Sequence, residues 1–146
     1  MSDPLQTAQD LFDQGFNCSQ AVFAAFAPDL GIQNDIALRL ASPFGGGIVR
    51  QGDVCGAVIG ALLALGVQKG SASVEAKEDT YRLAGDFITR FRERHGSILC
   101  RELIGYDIST PGGLQSARQQ KVFTTLCPLF VQSAVEIVAE QARVFR

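Results

Sequence analysis

The chain has 146 residues, of which 47% are hydrophobic and 19% are charged, and its formal net charge is −2. This composition excludes an intrinsically disordered chain and is typical of a globular protein long enough to bury its own core. Nucleic acid is not an expected partner because the sequence has no basic stripe. The one basic cluster, Arg90, Arg92 and Arg94, is interrupted by Glu93 and indicates a solvated helix face.

Helix-start and helix-stop signals predict three helices in the first third of the chain. Asp3 followed by Pro4 is a typical N-cap with proline at the first helical position. Asn17 is expected to cap the second helix, with Gln20 completing a capping box. The predicted helices cover residues 4–15, 17 to about 28, and 34–42, the last of them ending before Pro43 and the glycines at 45–47.

The rest of the chain is predicted to form an apolar helix, a long amphipathic helix and several shorter helices before a C-terminal one. Asp53 is the expected cap of the apolar helix and Ser73 that of the long one, while Gly66 and Gly96 are expected to follow their ends. The predicted helices cover residues 54–65, 74–95, 97–103, 117–126 and 127–143, with a loop at 106–115.

No period-two pattern predicts a strand, and no repeat or linker divides the chain. The sequence therefore predicts one compact all-α domain over residues 1–146, with about six to seven helices. The longest apolar stretch, at 54–67, is shorter than the roughly 20 residues that a membrane span needs. Residues 1–10 also lack the apolar run of a signal peptide. We expect a cytoplasmic protein that is not membrane-embedded.

The four cysteines, Cys18, Cys55, Cys100 and Cys127, each lie at a predicted helix start. Structural disulfides are rare in the reducing cytoplasm, so four cysteines there indicate reactive thiols or ligands. The free N–H groups and the positive dipole end at a helix start stabilise a thiolate. We therefore predict that the four thiols converge into one site, and that Cys18 or Cys55 is the most acidic.

The spacing of the cysteines excludes local motifs, because no Cys-x-x-Cys pair occurs. Any site must be assembled by the fold from four separate helices. A Cys-ligated iron–sulfur cluster, a zinc site with four cysteine ligands, and metal-free thiols that cycle to disulfides all fit this pattern. The four cysteines are thus candidates both as catalytic groups and as metal or cofactor ligands.

Neighbouring residues complete the candidate site. Arg50 is placed to stabilise a thiolate, and Gly56, with Gly60, predicts close approach by a neighbouring helix or a cofactor. The glycines at 45–47 are expected to let the chain pass close to Cys55. His95, the single histidine, is expected to complement the dipole at a helix C-terminus.

These residues resemble the C_GCAxxG_C_C family of small redox-active bacterial and archaeal proteins. Its Cys-Gly-Ala-x-x-Gly motif is matched by residues 55–60, with further matching segments at 15–22, 44–47, 100–105 and 127–128. The resemblance implies a redox role for the four cysteines. The family is similar to a domain attached to certain c-type haem electron carriers, in which an iron–sulfur site is associated with the cysteines. This chain has no Cys-x-x-Cys-His and so no covalent haem of its own.

Three functions follow as hypotheses. The leading one is electron transfer or redox chemistry through an iron–sulfur site. The alternatives are a metal-free thiol–disulfide redox protein or sensor, and a binding module with a structural zinc. The expected partner is a redox protein or a small-molecule oxidant or reductant. A homodimer is a reasonable expectation because two-fold dimers are the commonest oligomers.

Overall fold

The computed structural model describes residues 3–144, and its secondary structure is helical. Within these residues there is no strand, and the one bridge is an isolated antiparallel pairing of Val54 with Leu99. The predicted all-α class is confirmed. The α-helices are α1 (Pro4–Asp13), α2 (Cys18–Phe26), α3 (Asn34–Ala41), α4 (Gly56–Lys69), α5 (Lys77–His95), α6 (Cys100–Ile104), α7 (Pro111–Gln119), α8 (Val122–Thr125) and α9 (Cys127–Val144).

Helix α2 lies at the centre of the core and packs against α1, α3, α4 and α9. Its residues from Ala21 to Phe26 are all buried, so it has no solvated face. The most extensive of these contacts is with α4, where Gly60 faces the α2 backbone. A Cβ atom at Gly60 would lie 2.6 Å from the carbonyl oxygen of Ser19. The glycines of α4 therefore serve close helix packing.

Helices α5 and α9 meet through large side chains. Phe87 and Phe91 of α5 are fully buried, and the Phe91 ring lies 6.4 Å from that of Phe130 on α9. At the edge of this contact, Arg90 and Arg94 form ion pairs with carboxylates of α9. The arginine cluster was predicted to form a solvated face. Arg94 is exposed as expected, but Arg90 and Arg94 also connect α5 to α9 through these ion pairs.

The start and end of α4 differ from the prediction. Cys55 occupies the N-cap position, and the carboxylate of Asp53 instead accepts a 2.8 Å hydrogen bond from the Arg101 guanidinium. The helix continues through Gly66 to Lys69. A glycine that ends a helix typically adopts the left-handed conformation, whereas Gly66 keeps the right-handed helical one.

The predicted loop at 106–115 is wrong over its second half, where α7 begins at Pro111. The Thr110 hydroxyl accepts a 3.0 Å hydrogen bond from the Gly113 N–H and caps the helix. The helix predicted to follow is interrupted at Lys121, whose φ is 56°, and this separates α7 from α8.

The two serines predicted as caps stand further from their α-helices than expected. Ser73 precedes a short 3-10 turn (Val74–Ala76), and α5 begins only at Lys77. The Ser97 hydroxyl accepts a hydrogen bond from the N–H of Leu99, which is itself the N-cap residue of α6. Serine in both places stabilises a turn that leads into the helix.

Among residues 3–144, one segment, Val122–Arg143, is apolar enough by length and composition alone to cross a membrane, with a mean hydropathy of 1.7. The apolar stretch singled out from the sequence is a different one. Core helices meet the same criterion, and α9 packs against α1, α2, α4, α5 and α8. Its inward side chains include Val131, Ala134, Ile137 and Val138, all at most 1% exposed.

Candidate functional site

All four cysteines line one cavity of about 640 Å³, called here the cysteine cavity. Cys18 is the first residue of α2, and Cys55 immediately precedes α4. Cys100 and Cys127 are the first residues of α6 and α9. The structure thus brings together, at four helix starts, the thiols that the sequence could place only one by one.

Cys18 and Cys55 form a hydrogen-bonded pair. The Cys55 thiol donates to the Cys18 sulfur, and this bond is the main reason that the pKa of Cys18 falls to about 7. Burial opposes the shift, and the backbone N–H groups of Gly46, Ser19 and Cys18 itself add to it. The pKa of Cys55 is raised well above its ordinary value. The same bond is the main cause, and burial and the negative charge on Cys18 also raise it. Of the two thiols predicted as candidates for the most acidic one, Cys18 has the lowered pKa and Cys55 the raised one.

The start of α2 explains why backbone donors are free to reach the Cys18 sulfur. The Asn17 side chain accepts a 2.9 Å hydrogen bond from the Gln20 N–H, and the Gln20 side chain accepts one from the Asn17 N–H at 3.1 Å. This is the predicted capping box, and it satisfies two of the donors at the helix start. The N–H groups of Cys18 and Ser19 remain and point to the sulfur.

Residues 46–50 form a left-handed turn, with every φ between 49° and 70°. Three of these residues, Ile48, Val49 and Arg50, are not glycine, and a left-handed conformation costs an L-residue about 1–2 kcal/mol. Backbone hydrogen bonds close the turn, among them one of 2.9 Å from the Val49 N–H to the carbonyl of Pro43. No sequence pattern indicated this turn, because β-branched residues rarely adopt its geometry.

The left-handed turn lies against the start of α6. A Cβ atom at Gly47 would lie 2.7 Å from the Cβ of Cys100 and 2.7 Å from the backbone N and O of Asp53. The glycines at 45–47 were expected to pass close to Cys55. Gly45 and Gly46 line the cysteine cavity together with Cys55, while the tight approach of Gly47 is to Asp53 and Cys100.

Cys100 and Cys127 have a different electrostatic environment from Cys18. Burial, with a smaller contribution from the negative charge on Cys18, raises the pKa of each to about 12. The Cys100 N–H donates a 2.7 Å hydrogen bond to the Asp53 carbonyl, which fixes the start of α6 beside the cavity. Both thiols are therefore protonated at neutral pH, next to a thiolate.

The charged side chains that line the cysteine cavity, among residues 3–144, are Arg50 and Arg118. Arg50 was expected to stabilise a thiolate, yet the strongest effects that lower the pKa of Cys18 come from Cys55 and the backbone. Arg118 was not identified from the sequence as a candidate site residue. The signal for the start of its helix is Thr110 followed directly by Pro111, and the two glycines after them obscured it.

Of two further residues singled out from the sequence, Gly56 lies at the thiol pair and His95 lies outside the cavity. Gly56 packs against the Cys18 sulfur and the backbone of Ser19, so it leaves room for the thiol pair. His95 lies outside the cavity, where its Nε2 is 2.8 Å from the Ser133 hydroxyl and its ring contacts Phe91. Burial and the charge of a neighbouring arginine lower its pKa.

The four thiols do not form a ready metal-ligand set within the described residues. Within residues 3–144, no three side chains of Cys, His, Asp or Glu lie close enough together to bind a metal ion. The thiols instead surround the cavity from separate helix starts. The iron–sulfur cluster and the zinc ion therefore stay predictions.

Residues 16–141 match the family described as "Putative redox-active protein (C_GCAxxG_C_C)". No curated protein and no solved structure matches the sequence. The family match covers most of the chain, including the four cysteines and both arginines of the cavity. The chain belongs to this family, as its motifs indicated, and the family's description indicates redox activity.

Proposed function

We propose that this member of the C_GCAxxG_C_C family carries out thiol–disulfide redox chemistry through Cys18 and Cys55. One observation carries the proposal: the two thiols lie on the wall of one cavity, close enough for the Cys55 thiol to lower the pKa of Cys18. The pKa of about 7 makes Cys18 the nucleophile, because a large share of it is thiolate at neutral pH. Cys55 is held protonated beside it and serves as the resolving thiol.

The reaction with a disulfide oxidant proceeds in two exchanges. The Cys18 thiolate attacks one sulfur of the oxidant, the S–S bond breaks, and a thiolate leaves while Cys18 forms a mixed disulfide. The negative charge on Cys18 is then gone, and with it two of the causes that raise the pKa of Cys55. Cys55 passes its proton to the departing thiolate and attacks the Cys18 sulfur. A Cys18–Cys55 disulfide forms, a second thiolate leaves, and the oxidant has gained two electrons.

Peptide mapping after mild oxidation tests this proposal. The reduced protein is treated with hydroxyethyl disulfide, the remaining thiols are alkylated, and the linked peptides are identified by mass spectrometry. We expect the free-thiol count to fall from four to two, with Cys18 linked to Cys55. Cys18→Ser and Cys55→Ser should each abolish this link, while Cys100→Ser and Cys127→Ser should retain it.

A different pairing in the wild type, or loss of two free thiols in Cys18→Ser at the wild-type rate, would refute the proposal. Each serine variant is checked for folding by circular dichroism and thermal unfolding, so that loss of the link is not mistaken for loss of structure. Because serine is close to cysteine in size, these variants disturb the packing of the cavity little.

An iron–sulfur centre is the second candidate, and the observation that favours it is the position of all four thiols around one cavity. Anaerobic purification followed by visible absorption and by iron, sulfide and zinc analysis distinguishes the candidates. A coloured protein with iron and sulfide supports the cluster, and a colourless one with a single zinc supports a structural metal. A colourless, metal-free protein that forms the Cys18–Cys55 disulfide supports the thiol mechanism.

A further inference from the structure

The cysteine cavity has the size and lining of a small-molecule site. Its volume of about 640 Å³ falls within the range of about 300–1,000 Å³ that is typical of ligand pockets. Much of the wall is apolar, with aromatic side chains from several different helices or loops. These include Phe12, Phe16, Phe123 and Phe130, together with Leu103 and Ile108. A surface that only transfers electrons to a docked protein does not need a cavity of this volume.

The charged side chains that line this cavity are all positive. Arg50 and Arg118 line it, and within residues 3–144 no carboxylate does so. Both side chains are exposed, so they stand at the opening. In the described part of the chain neither forms an ion pair, whereas Arg90, Arg94 and Arg101 each do. Two uncompensated guanidinium groups at the opening of an apolar cavity favour an anionic ligand, and carboxylates match guanidinium geometry.

The geometry points to a substrate class for the proposed thiol chemistry, on which this inference rests: a small organic disulfide that carries carboxylates. Arg50 and Arg118 bind the carboxylates, the apolar wall holds the carbon chain, and the S–S bond reaches the Cys18 sulfur. The balanced step converts the protein dithiol and one disulfide R–S–S–R into the Cys18–Cys55 disulfide and two R–SH. The protein is oxidised and the substrate is reduced.

Three disulfides of similar length and different charge test the inference. Dithiodipropionate is anionic, hydroxyethyl disulfide is neutral and cystamine is cationic. The single-turnover rate of Cys18–Cys55 oxidation is measured for each at fixed ionic strength, and divided by the rate of the same reagent with free mercaptoethanol. This ratio removes differences in leaving-group chemistry and leaves the contribution of the protein.

We expect the normalised rate to rank anionic above neutral above cationic, with at least about a tenfold span, because one charge-assisted hydrogen bond is worth about a factor of ten. The double variant Arg50→Gln, Arg118→Gln should bring the three rates to within about threefold. Arg50→Lys with Arg118→Lys should keep much of the preference. Arg92→Gln, which removes a charge from the exposed face of α5 outside the cavity, should leave the ranking unchanged.

Failure of this inference and failure of the proposed function give different results. If none of the three reagents produces a Cys18–Cys55 disulfide, the thiol mechanism itself is wrong. If all three produce it at equal normalised rates, or the arginine variants retain the ranking, only the anionic substrate class is overturned. Equal rates would favour a protein disulfide or another redox protein as the partner.

Discussion

Two helix contacts of this protein are built in opposite ways. Helices α5 and α9 meet through side chains, with Phe91 and Phe130 in the interior and ion pairs of Arg90 and Arg94 at the edge. Helices α2 and α4 meet where side chains are missing, because Gly56 and Gly60 face the α2 backbone directly. The first contact buries large apolar surface, and the second brings two helix starts close enough for Cys18 and Cys55 to share a hydrogen bond.

The two contacts therefore have different roles, one in stability and the other in the chemistry of Cys18. At the α5–α9 contact the backbone N–H and C=O groups are used within the helices, and only side chains interact. At the α2–α4 contact the first turn of each helix still has free N–H groups, and these donate to the two sulfurs. We therefore expect substitutions on the α5 side of the first contact, which does not line the cysteine cavity, to change the free energy of unfolding alone, and those in the second contact to change the chemistry of Cys18 as well.

The largest effect is expected for Phe91→Ala in the α5–α9 contact. Phe91 is fully buried, and removal of such a ring typically lowers the free energy of unfolding by about 3–5 kcal/mol. Urea denaturation measures this loss. The pH dependence of Cys18 alkylation in the folded variant should match that of the wild type. A shifted alkylation profile would mean that the two contacts are not independent.

The next effect is expected for Gly56→Ala, whose new methyl group meets the Cys18 sulfur and the Phe44 carbonyl oxygen. Overpacking of this kind lowers the free energy of unfolding by about 1–3 kcal/mol, and displacement of the sulfur should raise the pKa of Cys18. Gly66→Ala is the matched control, because it lies in the same helix with nothing within 4 Å of the added Cβ. It should be neutral or stabilise by up to about 1 kcal/mol. Equal effects of the two substitutions would contradict the close-packing account.

Substitution of Cys55 separates the hydrogen bond from the packing. Because the pKa of Cys18 is lowered to about 7, its alkylation rate should fall as the pH drops through 7. Cys55→Ala removes the main donor, so the midpoint should move up towards the ordinary value of 9.0, whereas Cys55→Ser retains a hydroxyl donor and should move it less.

Iodoacetamide kinetics between pH 5 and 10 measure these midpoints. Cys100 and Cys127 contribute little, because a pKa of about 12 leaves only about one part in ten thousand as thiolate at pH 8. An identical midpoint in the wild type and the alanine variant would show that the backbone N–H donors alone lower the pKa of Cys18.

The smallest effect is expected for Arg94→Gln at the edge of the α5–α9 contact. Arg94 pairs with Glu136 and Glu140, and all three side chains are partly exposed. Partly exposed ion pairs contribute about 0.2–1 kcal/mol, so the loss of unfolding free energy should lie in this range and shrink with added salt. Arg92→Gln, an exposed position on the same helix, should change stability by less. A loss above about 2 kcal/mol would mean that these pairs are buried in solution.

The features that follow from local patterns were predictable. The capping box of Asn17 and Gln20 is present, and the helix class and the family were identified correctly. The pairing of Cys18 with Cys55 could not be derived, because it depends on how closely two helices distant in sequence approach each other. The start of α7 at Pro111 was missed because two glycines in its first turn have low helix propensity. The domain count, cytoplasmic location, bound cofactor and homodimer stay predictions.

The left-handed turn at 46–50 links the charge of a sulfur atom to the dynamics of the backbone. Its conformation is unfavourable for Ile48 and Val49, and the thiolate of Cys18 accepts a hydrogen bond from the Gly46 N–H at one end of it. Oxidation removes the negative charge and weakens this bond. The amide proton of Gly46 should then exchange with solvent deuterium faster in the oxidised protein than in the reduced one, so that hydrogen exchange at one backbone position would report the redox state of the site.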